Sequence, residues 1–414
     1  MASDHRLASS KRGHLAHMRY MLFAMVVGFL VVLFVGRHLV RLESAIDPTE
    51  TFRRTSRETA ALFDHRNVHY ITVADDTRPE ICLTASSIFI LSQGELEVLA
   101  WDDSATFFDG TSPKPPVNAT NVDTLHAVRM GQAKKIDWIA HYVTHHPNLH
   151  DDDIIVYTDA WDVVIQTDMS AVGSILRRMT GGQRGLLFNS EPSCGDSFEL
   201  PGEYGEYLRS ASFDVHLSVA DKHVRSVTGR DICRQMLIKS SMHSAMGGPN
   251  WSLGSGGIVG DVWTFRQFMA RVVQVTTEQI ERARADPTVP VFEGDQISFQ
   301  LAYLRSPELN VLVDTRSEVF LVTSFMTLPG AVDHYDIDHG CSATSFFRGG
   351  VPSKLRWFNH TPMILHFPGD YKHLYDRCAD NVKAVLKAAA PGKFMWDVDR
   401  NTSIPVHDVC YDYT

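Results

Sequence analysis

Ile154-Ile155-Val156-Tyr157 is a short, near-continuous apolar run, and two aspartates, Asp159 and Asp162, follow it directly. A strand that is apolar at every position must be covered on both faces, which places it centrally in a parallel sheet. The rest of the chain supplies the layers such a sheet needs. Tyr70–Ala74 and Glu97–Trp101 read as strands, with an apolar helical stretch from Ile81 to Leu91 between them. A helix over about 134–144 carries Ile136, Ile139, Ala140 and Val143 on one side. Gly185–Phe188 is another apolar strand. Further on, the pattern predicts a Gly-rich turn at 254–257, helices near 262–285 and 295–304, and strands at 310–314, 318–322 and 363–367. Strands alternating with helices imply an α/β layered domain. The connection from Glu191 to about Gly248 reads as long and irregular, and loops of that length are often functional.

The chemistry gathers at strand ends. In open α/β sheets, ligands collect at the carboxyl ends of the strands. In Thr158-Asp159-Ala160-Trp161-Asp162, two carboxylates repel each other unless a cation lies between them. A hard divalent ion such as Mn²⁺ or Mg²⁺ takes carboxylate, water and phosphate oxygens. It would also neutralise a departing diphosphate. The plainer alternative is an Asp-rich turn with Asp159 capping a helix, and spacing alone does not choose. His366-Phe367-Pro368-Gly369-Asp370-Tyr371-Lys372 follows a second strand, Met363-Ile364-Leu365. His366 can offer a neutral imidazole to the same metal. Gly369 lets backbone approach a phosphate closely, and Lys372 places a point charge on it.

The amino-terminal region sets an expected compartment. Tyr20 to Gly36 is seventeen residues without a charge, about 25 Å as a helix. Arg6, Lys11, Arg12 and Arg19 precede it against a lone Asp4, so the bias of positive charge puts the N-terminus in the cytosol. A cleaved signal peptide is the alternative, but Val35-Gly36-Arg37-His38 offers no good small-x-small site. We therefore expect a cytosolic tail at 1–19, a signal-anchor transmembrane helix at 20–36, a stem at 37–66, a catalytic domain at 67–376 and an extension at 377–414 packing on it. The domain would face the lumen of the Golgi or endoplasmic reticulum as a single-pass type II protein. Four glycosylation sequons, at Asn118, Asn250, Asn359 and Asn401, and six cysteines beyond the anchor fit that side. Six cysteines allow fifteen pairings, and the sequence does not select one. The net charge of −10 argues against a nucleic-acid partner.

With these motifs on view, the chain resembles nucleotide-sugar-dependent glycosyltransferases of the GT-A type. Within them it is most similar to the glycosyltransferase domain of procollagen lysyl hydroxylases and its collagen-modifying relatives. TDAWDVV looks like that family's T-D-x-[FY]-D-V strand end. FNSEPSCGD (Phe188–Asp196) looks like F-[SA]-A-E-P-x-C-W-P, and LGSGGIVG (Leu253–Gly260) like L-N-S-G-G-F-I-G. GDQISFQLAY (Gly294–Tyr303) looks like D-D-Q-x-x-[YF], and HFPGDYK like the H-F-x-G-x-x-K element of glycogenin-type transferases. The resemblance implies a Rossmann-like, mixed, mainly parallel sheet flanked by helices, a UDP-sugar donor and a bound Mn²⁺ or Mg²⁺. It implies Asp159, Asp162 and His366 as metal ligands, with the two aspartates also contacting UDP. Gly369 and Lys372 match the diphosphate-contacting pair, Val73 lies where the nucleoside is held, and Lys135 matches a Lys in the family's Gly-Gln-Lys segment. Ser255, Gly256 and Gly257 match the loop beside the donor sugar, and Asp295 and Gln296 the acidic region near sugar and acceptor. The chain departs from the pattern at Gly254, where the family has Asn, at Gly195-Asp196, where it has Trp-Pro, and at Gly294, where it has Asp. These changes lie on the sugar and acceptor side, not at the metal.

The implied reaction is displacement at the anomeric carbon of a UDP-sugar, with glucose or galactose passing to a hydroxyl of a glycan or glycoprotein acceptor. If configuration inverts, a carboxylate should activate the acceptor hydroxyl, and Asp295 and Glu191 are the candidates. If it is retained, no base is required there. A catalytically inactive lumenal sugar-binding protein and a UDP-sugar hydrolase are the competing readings. His141 and His145 are spaced for a zinc site beside Asp151-Asp152-Asp153, but Pro147 ends the helix, and a solvated helix end is the better account. Trp138, Trp161 and Trp263 are expected in the core or a pocket wall.

Overall fold

The computed structural model of the chain describes residues 67–74, 80–92, 94–101, 134–194, 202–216, 224–243, 250–286, 295–323, 332–333, 354–355, 361–369, 372, 375–376 and 392–410. The expected tail, anchor and stem, and the sequons at Asn118 and Asn359, lie outside these residues. Among the described residues, no helix is long and apolar enough to cross a membrane. The elements run β1 (Val68–Val73), α1 (Ile81–Leu91), β2 (Leu96–Leu99), α2 (Lys134–His145), β3 (Ile154–Thr158), β4 (Val163–Ile165), α3 (Val172–Met179), β5 (Leu186–Glu191), α4 (Gly202–Ser210), β6 (Ser212–Val215), β7 (Arg225–Thr228) and α5 (Gly229–His243). They continue with β8 (Ser252–Asp261), α6 (Val262–Ala285), α7 (Gln296–Arg305), β9 (Val311–Val313), β10 (Phe320–Val322), β11 (Val332–Asp333), β12 (Lys354–Leu355), β13 (Ile364–His366), β14 (Phe394–Asp397), β15 (Thr402–Pro405) and α8 (Val406–Val409).

Eight strands form one sheet in the order β15-β14-β2-β1-β3-β8-β5-β9. The run β14, β2, β1, β3 is parallel, and so is the pair β5 and β9. β8 lies antiparallel between β3 and β5, and β15 is antiparallel to β14. The architecture is therefore α/β, with a mixed, mainly parallel sheet flanked by helices. β3 is central as expected, but its two neighbours differ: parallel β1 on one side and antiparallel β8 on the other.

Both faces of the sheet are covered. Ile155 and Tyr157 join Ile71, Leu186, Phe188 and Ile258 in a core with α2, α6 and α7, whereas Ile154 and Val156 join Leu96, Val98, Leu187 and Val259 in a core with α1 and α3. This alternation is the two-residue period of a strand. Each fully buried large apolar side chain contributes roughly 1.5–3 kcal/mol. In α6, Phe265, Phe268, Met269, Val272 and Val275 recur at helical spacing and are buried, and Asp261 caps the helix by accepting the Thr264 N–H at 2.9 Å.

Three expectations are corrected. Gly254–Gly257 is not a turn but the middle of β8, ten residues long and buried throughout. Its glycines are there for clearance: a Cβ at Gly257 would sit 2.5 Å from the Phe320 ring, and one at Gly260 would sit 2.0 Å from Leu186. The stretch after Glu191 is not irregular, since α4, the antiparallel β6–β7 pair and α5 all fall within it. Trp263 is not core: it is 38% exposed, with the Arg184 guanidinium 5.5 Å from its ring. By contrast Trp138 is buried.

Among the described residues, two disulfides tie distant segments. Cys82–Cys410 joins α1 to the end of α8, and Cys194–Cys233 joins the end of β5 to α5. Asn250, in one of the sequons, is wholly buried and donates to the Ser190 carbonyl at 3.2 Å, so this packing has no room for a glycan there.

Candidate functional site

The turn after β3 carries Asp159 and Asp162, and two neighbouring strands fix it. The Asp159 N–H donates to the Gly256 carbonyl at 3.0 Å, and the Phe367 N–H donates to the Asp162 carbonyl at 2.8 Å. β13 pairs antiparallel with β4, with His366 opposite Val163, so the register alone delivers His366 beside Asp162. His366 Nε2 lies 3.9 Å from Asp159 Oδ2 and 3.7 Å from Asp162 Oδ1. One ligand atom from each of the three residues falls within 4.8 Å of the others.

This cradle fits a hard divalent cation. Among the described residues, Asp162 Oδ1 is buried with no hydrogen-bond partner, a costly state for a carboxylate unless a cation compensates it. A side chain at Gly256 is excluded, because its Cβ would lie 2.2 Å from His366 Cε1 and 2.9 Å from Asp159 Oδ2. Two carboxylates and an imidazole suit Mn²⁺ or Mg²⁺ with further oxygen ligands.

The surroundings sort the two carboxylates. Asp159 Oδ1 is held by Lys135 Nζ at 2.9 Å and by the Tyr157 hydroxyl at 2.8 Å, which leaves Oδ2 on the side of His366. Burial pushes the Asp159 carboxyl up, but Lys135 and His366 outweigh burial and hold it below the ordinary value. Burial drives Asp162 the other way, above the ordinary value, and the neighbouring Asp159 charge adds to this against His366 and Lys372. Lys135, in the first turn of α2, also lies 2.9 Å from Asp295 Oδ2. Burial alone would lower its ammonium, yet Asp159 and Asp295 raise it well above the usual value. Asp295 is thus tied to the cradle through one largely enclosed lysine.

Lys372 stands on the rim, half exposed, with Nζ 3.4 Å from Asp162 Oδ2. Gly369 adopts φ +56° with open space around it, a backbone state that favours glycine. Ile71 pairs with Tyr157, so Val73, two residues further along β1, reaches the level of Asp159. Thr72 fastens the two strand ends by donating to the Thr158 carbonyl at 2.7 Å.

On the other side, Gln296 bridges β8 and β5: its Oε1 accepts the Ser255 N–H at 3.4 Å, and its Nε2 donates to Glu191 Oε2 at 3.2 Å. Glu191 also fills the space a side chain at Gly254 would need, since a Cβ there would be 2.8 Å from its Oε1. Ser255, Gly256 and Gly257 lie in a strand rather than a loop, and Gly256 packs against His366 and Asp159. Asp295 does not cap α7, whose N-terminus it precedes, but points to Lys135.

Two residues were missed from the sequence. Tyr157 looks like ordinary strand core, and only its hydroxyl beside an aspartate hints otherwise. Asn189 is a fully buried polar residue in the run Leu186–Glu191, where a signal did exist: an amide in an apolar strand needs partners. Its Oδ1 accepts the Gly257 N–H at 3.1 Å and its Nδ2 lies 3.3 Å from His366 Nδ1. It sits where the β5–β8 register shifts, between Phe188 and Ser190. His141 and His145 stack on each other at 4.2 Å and belong to no metal-binding group among the described residues.

No protein-family model matches the chain, and no curated protein matches it. Among solved structures it is similar to mouse xyloside xylosyltransferase 1 in its apo form, at 11% identity and a TM-score of 0.35, over 73% of this chain and 98% of that one. It is also similar to the galactosyltransferase LgtC, solved in complex with donor and acceptor sugar analogues, at 11% identity and a TM-score of 0.34, over 76% of this chain and 95% of that one. Both are glycosyltransferases. The likeness is loose at these TM-scores, and the site's own residues carry the functional conclusion.

Proposed function

We propose that the chain is a metal-dependent glycosyltransferase that moves a hexose, glucose or galactose, from a UDP-sugar to a hydroxyl of a protein or glycan acceptor. The observation that carries this is the cradle of Asp159, Asp162 and His366, with the orphaned Asp162 Oδ1 inside it. It lies at the carboxyl end of β3, where α/β sheets bind their ligands. Donor-side motifs Thr158–Val163 and His366–Lys372 support the GT-A reading. The narrower likeness to the transferase domain of lysyl hydroxylases rests on the sequence motifs alone.

Asp159, Asp162 and His366 would hold Mn²⁺ or Mg²⁺, which supplies positive charge against the leaving diphosphate. Lys135 and Tyr157 aim Asp159 by occupying its Oδ1. Lys372 adds a mobile positive charge at the rim, and Gly369 lets backbone approach the diphosphate. Charge placed in advance where the leaving group forms is usually the largest catalytic contribution. Val73 borders the nucleoside, and Ser255, Gly256 and Gly257 border the sugar. In an inverting reaction Glu191 is the better activator of the acceptor hydroxyl, because Asp295 already has its Oδ2 bound by the Lys135 ammonium. The two disulfides support an oxidising compartment, in line with a type II anchor at 20–36, a stem at 37–66 and a lumenal domain at 67–376 followed by the 377–414 extension.

The test is UDP release by the full chain in detergent, across a panel of UDP-sugars, with Mn²⁺ or with a chelator. Metal-dependent release from one sugar that rises with an added acceptor supports transfer. Release unaffected by any acceptor would assign a hydrolase, and neither release nor UDP binding by folded protein would end the enzyme reading.

A further inference from the structure

Asn189 lies between β8 and the candidate cation ligand His366, and its two contacts make opposite demands on one amide. The Gly257 N–H can only donate, so it fixes which end of the Asn189 amide is the carbonyl. The amide NH₂ then faces His366 Nδ1, which must accept from it. The neutral ring consequently carries its proton on Nε2, directed at Asp159 and Asp162, 3.9 and 3.7 Å away. That arrangement suits a protein without a cation. For ligation through Nε2 it is the wrong tautomer. A histidine binds a metal through a bare nitrogen and donates its other N–H to an outer acceptor.

We infer that Asn189 is a positioning residue with two settings: its carbonyl faces Gly257 when the cation is away and turns to the Nδ1–H of His366 when the cation is bound. This rests on the cation reading proposed above. On binding, the proton lost from Nε2 is matched by one gained on Nδ1, so the ring stays neutral. When the amide turns, its NH₂ replaces its carbonyl opposite the Gly257 N–H, and two donors cannot stay face to face. Gly257 must then redirect its N–H. Gly257 belongs to the segment 255–257 that borders the proposed sugar position, so cation occupancy is felt in the backbone there. The register shift between Phe188 and Ser190 supplies the opening, because it takes Asn189 out of the regular β5–β8 pairing.

The test uses the full chain in detergent and two readouts. In ¹⁵N-histidine-labelled protein, the His366 ring, assigned by its loss in His366→Gln, should carry its proton on Nε2 without cation and on Nδ1 with saturating Zn²⁺ as a diamagnetic probe. A proton already on Nδ1 in the cation-free protein overturns the inference. The second readout is Mn²⁺ affinity by electron paramagnetic resonance. Asn189→Asp offers an acceptor to Gly257 and to His366 at once and should bind Mn²⁺ about tenfold more tightly, while Asn189→Leu should bind it about tenfold or more weakly. If Asn189→Leu loses its folded thermal transition, Asn189→Asp and the tautomer decide. Native-like affinity in both variants overturns the inference and leaves the cation reading standing. Absence of Mn²⁺ binding by the folded native chain overturns the cation reading and this inference with it.

Discussion

Two clusters of charge sit at opposite ends of β1, β3 and α2, and they are finished differently. At the carboxyl ends of the strands, Lys135 at the start of α2 serves Asp159 and Asp295, while Asp162 Oδ1 is left buried without a hydrogen bond. At the other end, Tyr142 and His146 near the close of α2 meet Glu97, His69 and Asp153. There every carboxylate oxygen is engaged. Glu97 Oε1 takes His69 Nδ1 at 2.9 Å, and its Oε2 takes the Tyr142 hydroxyl at 2.8 Å and lies 3.7 Å from His146. Asp153 accepts backbone N–H groups from Asn67 at 3.3 Å and His150 at 2.9 Å. Among the described residues, two imidazole nitrogens there lack a hydrogen bond, His146 Nδ1 and His69 Nε2, the latter 3.6 Å from Asp153 Oδ2. An imidazole nitrogen without a hydrogen bond costs less than a carboxylate oxygen without one. Similar residue types thus make a structural tie at one end and a ligand cradle at the other, and the unsatisfied carboxylate distinguishes them.

The largest expected effect comes from the unsatisfied end. Asp162→Asn should cut metal-dependent UDP release about a thousandfold or more, because it removes a cation ligand. In cation-free protein it should leave the thermal midpoint unchanged or higher, since it relieves a buried carboxylate that Asp159 repels. A lower midpoint without cation would show that Asp162 is a structural tie like Glu97, and the contrast between the two ends would collapse. Gly256→Ala comes next. Its new methyl would lie 2.2 Å from His366 Cε1, so the ring must move, and Mn²⁺ affinity should fall about ten- to a hundredfold. Calorimetric titration reads this directly, and an unchanged affinity would remove His366 from the ligand set.

These two residues also show what the sequence could and could not reveal. Asp159 and His366 were legible as candidates because one directly follows β3 and the other ends β13, with Asp162 in the same turn just before β4; spacing alone left an ordinary Asp-rich turn open, and the ligand set came from the family resemblance. The role of β8 was not legible. Glycine is ordinarily read as a turn signal, and Gly254, Gly256 and Gly257 are glycine because Asn189 with Glu191, His366 with Asp159, and Phe320 respectively occupy the space their side chains would need. That reason exists only once β5, β8, β10 and β13 are assembled. The antiparallel setting of β8 was hidden for the same cause: burial on both faces makes a strand apolar whichever way its neighbours run. Asn189 depends on a register shift, a property of two strands that neither segment records alone. Likewise β14 and β15 extend the main sheet beside β2, although strands of four residues carry no period long enough to identify.

The third effect tests the satisfied end. Glu97→Ala strands His69, Tyr142 and His146 together and should destabilise the fold by about 2–4 kcal/mol. UDP release per folded molecule should stay unchanged. Denaturant unfolding alongside the activity assay checks both halves, and a loss of activity without a loss of stability would mean that α2 carries information between its two ends.

The smallest effect is a pH dependence confined to the same cluster. Burial pushes His69 down, but the hydrogen bond and charge of Glu97, with Asp153 behind them, outweigh burial and hold it above 6.5. A histidine raised in the folded state adds stability that is fully present below its unfolded value and is lost as pH rises through its folded value. His146 runs the opposite way. Burial lowers it, Glu97 only partly opposes this, and His69 adds to the lowering, so its contribution is lost as pH falls. In the native protein the two contributions oppose each other. His69→Gln removes the first contribution and, by taking away the His69 charge, weakens the second without abolishing it. The gap in thermal midpoint between native protein and His69→Gln should therefore be wider at pH 6 than at pH 8. A gap independent of pH would mean that His69 is held as a neutral hydrogen-bonding ring. The satisfied cluster would then owe its strength to geometry alone, and charge would remain a working element only at the cradle.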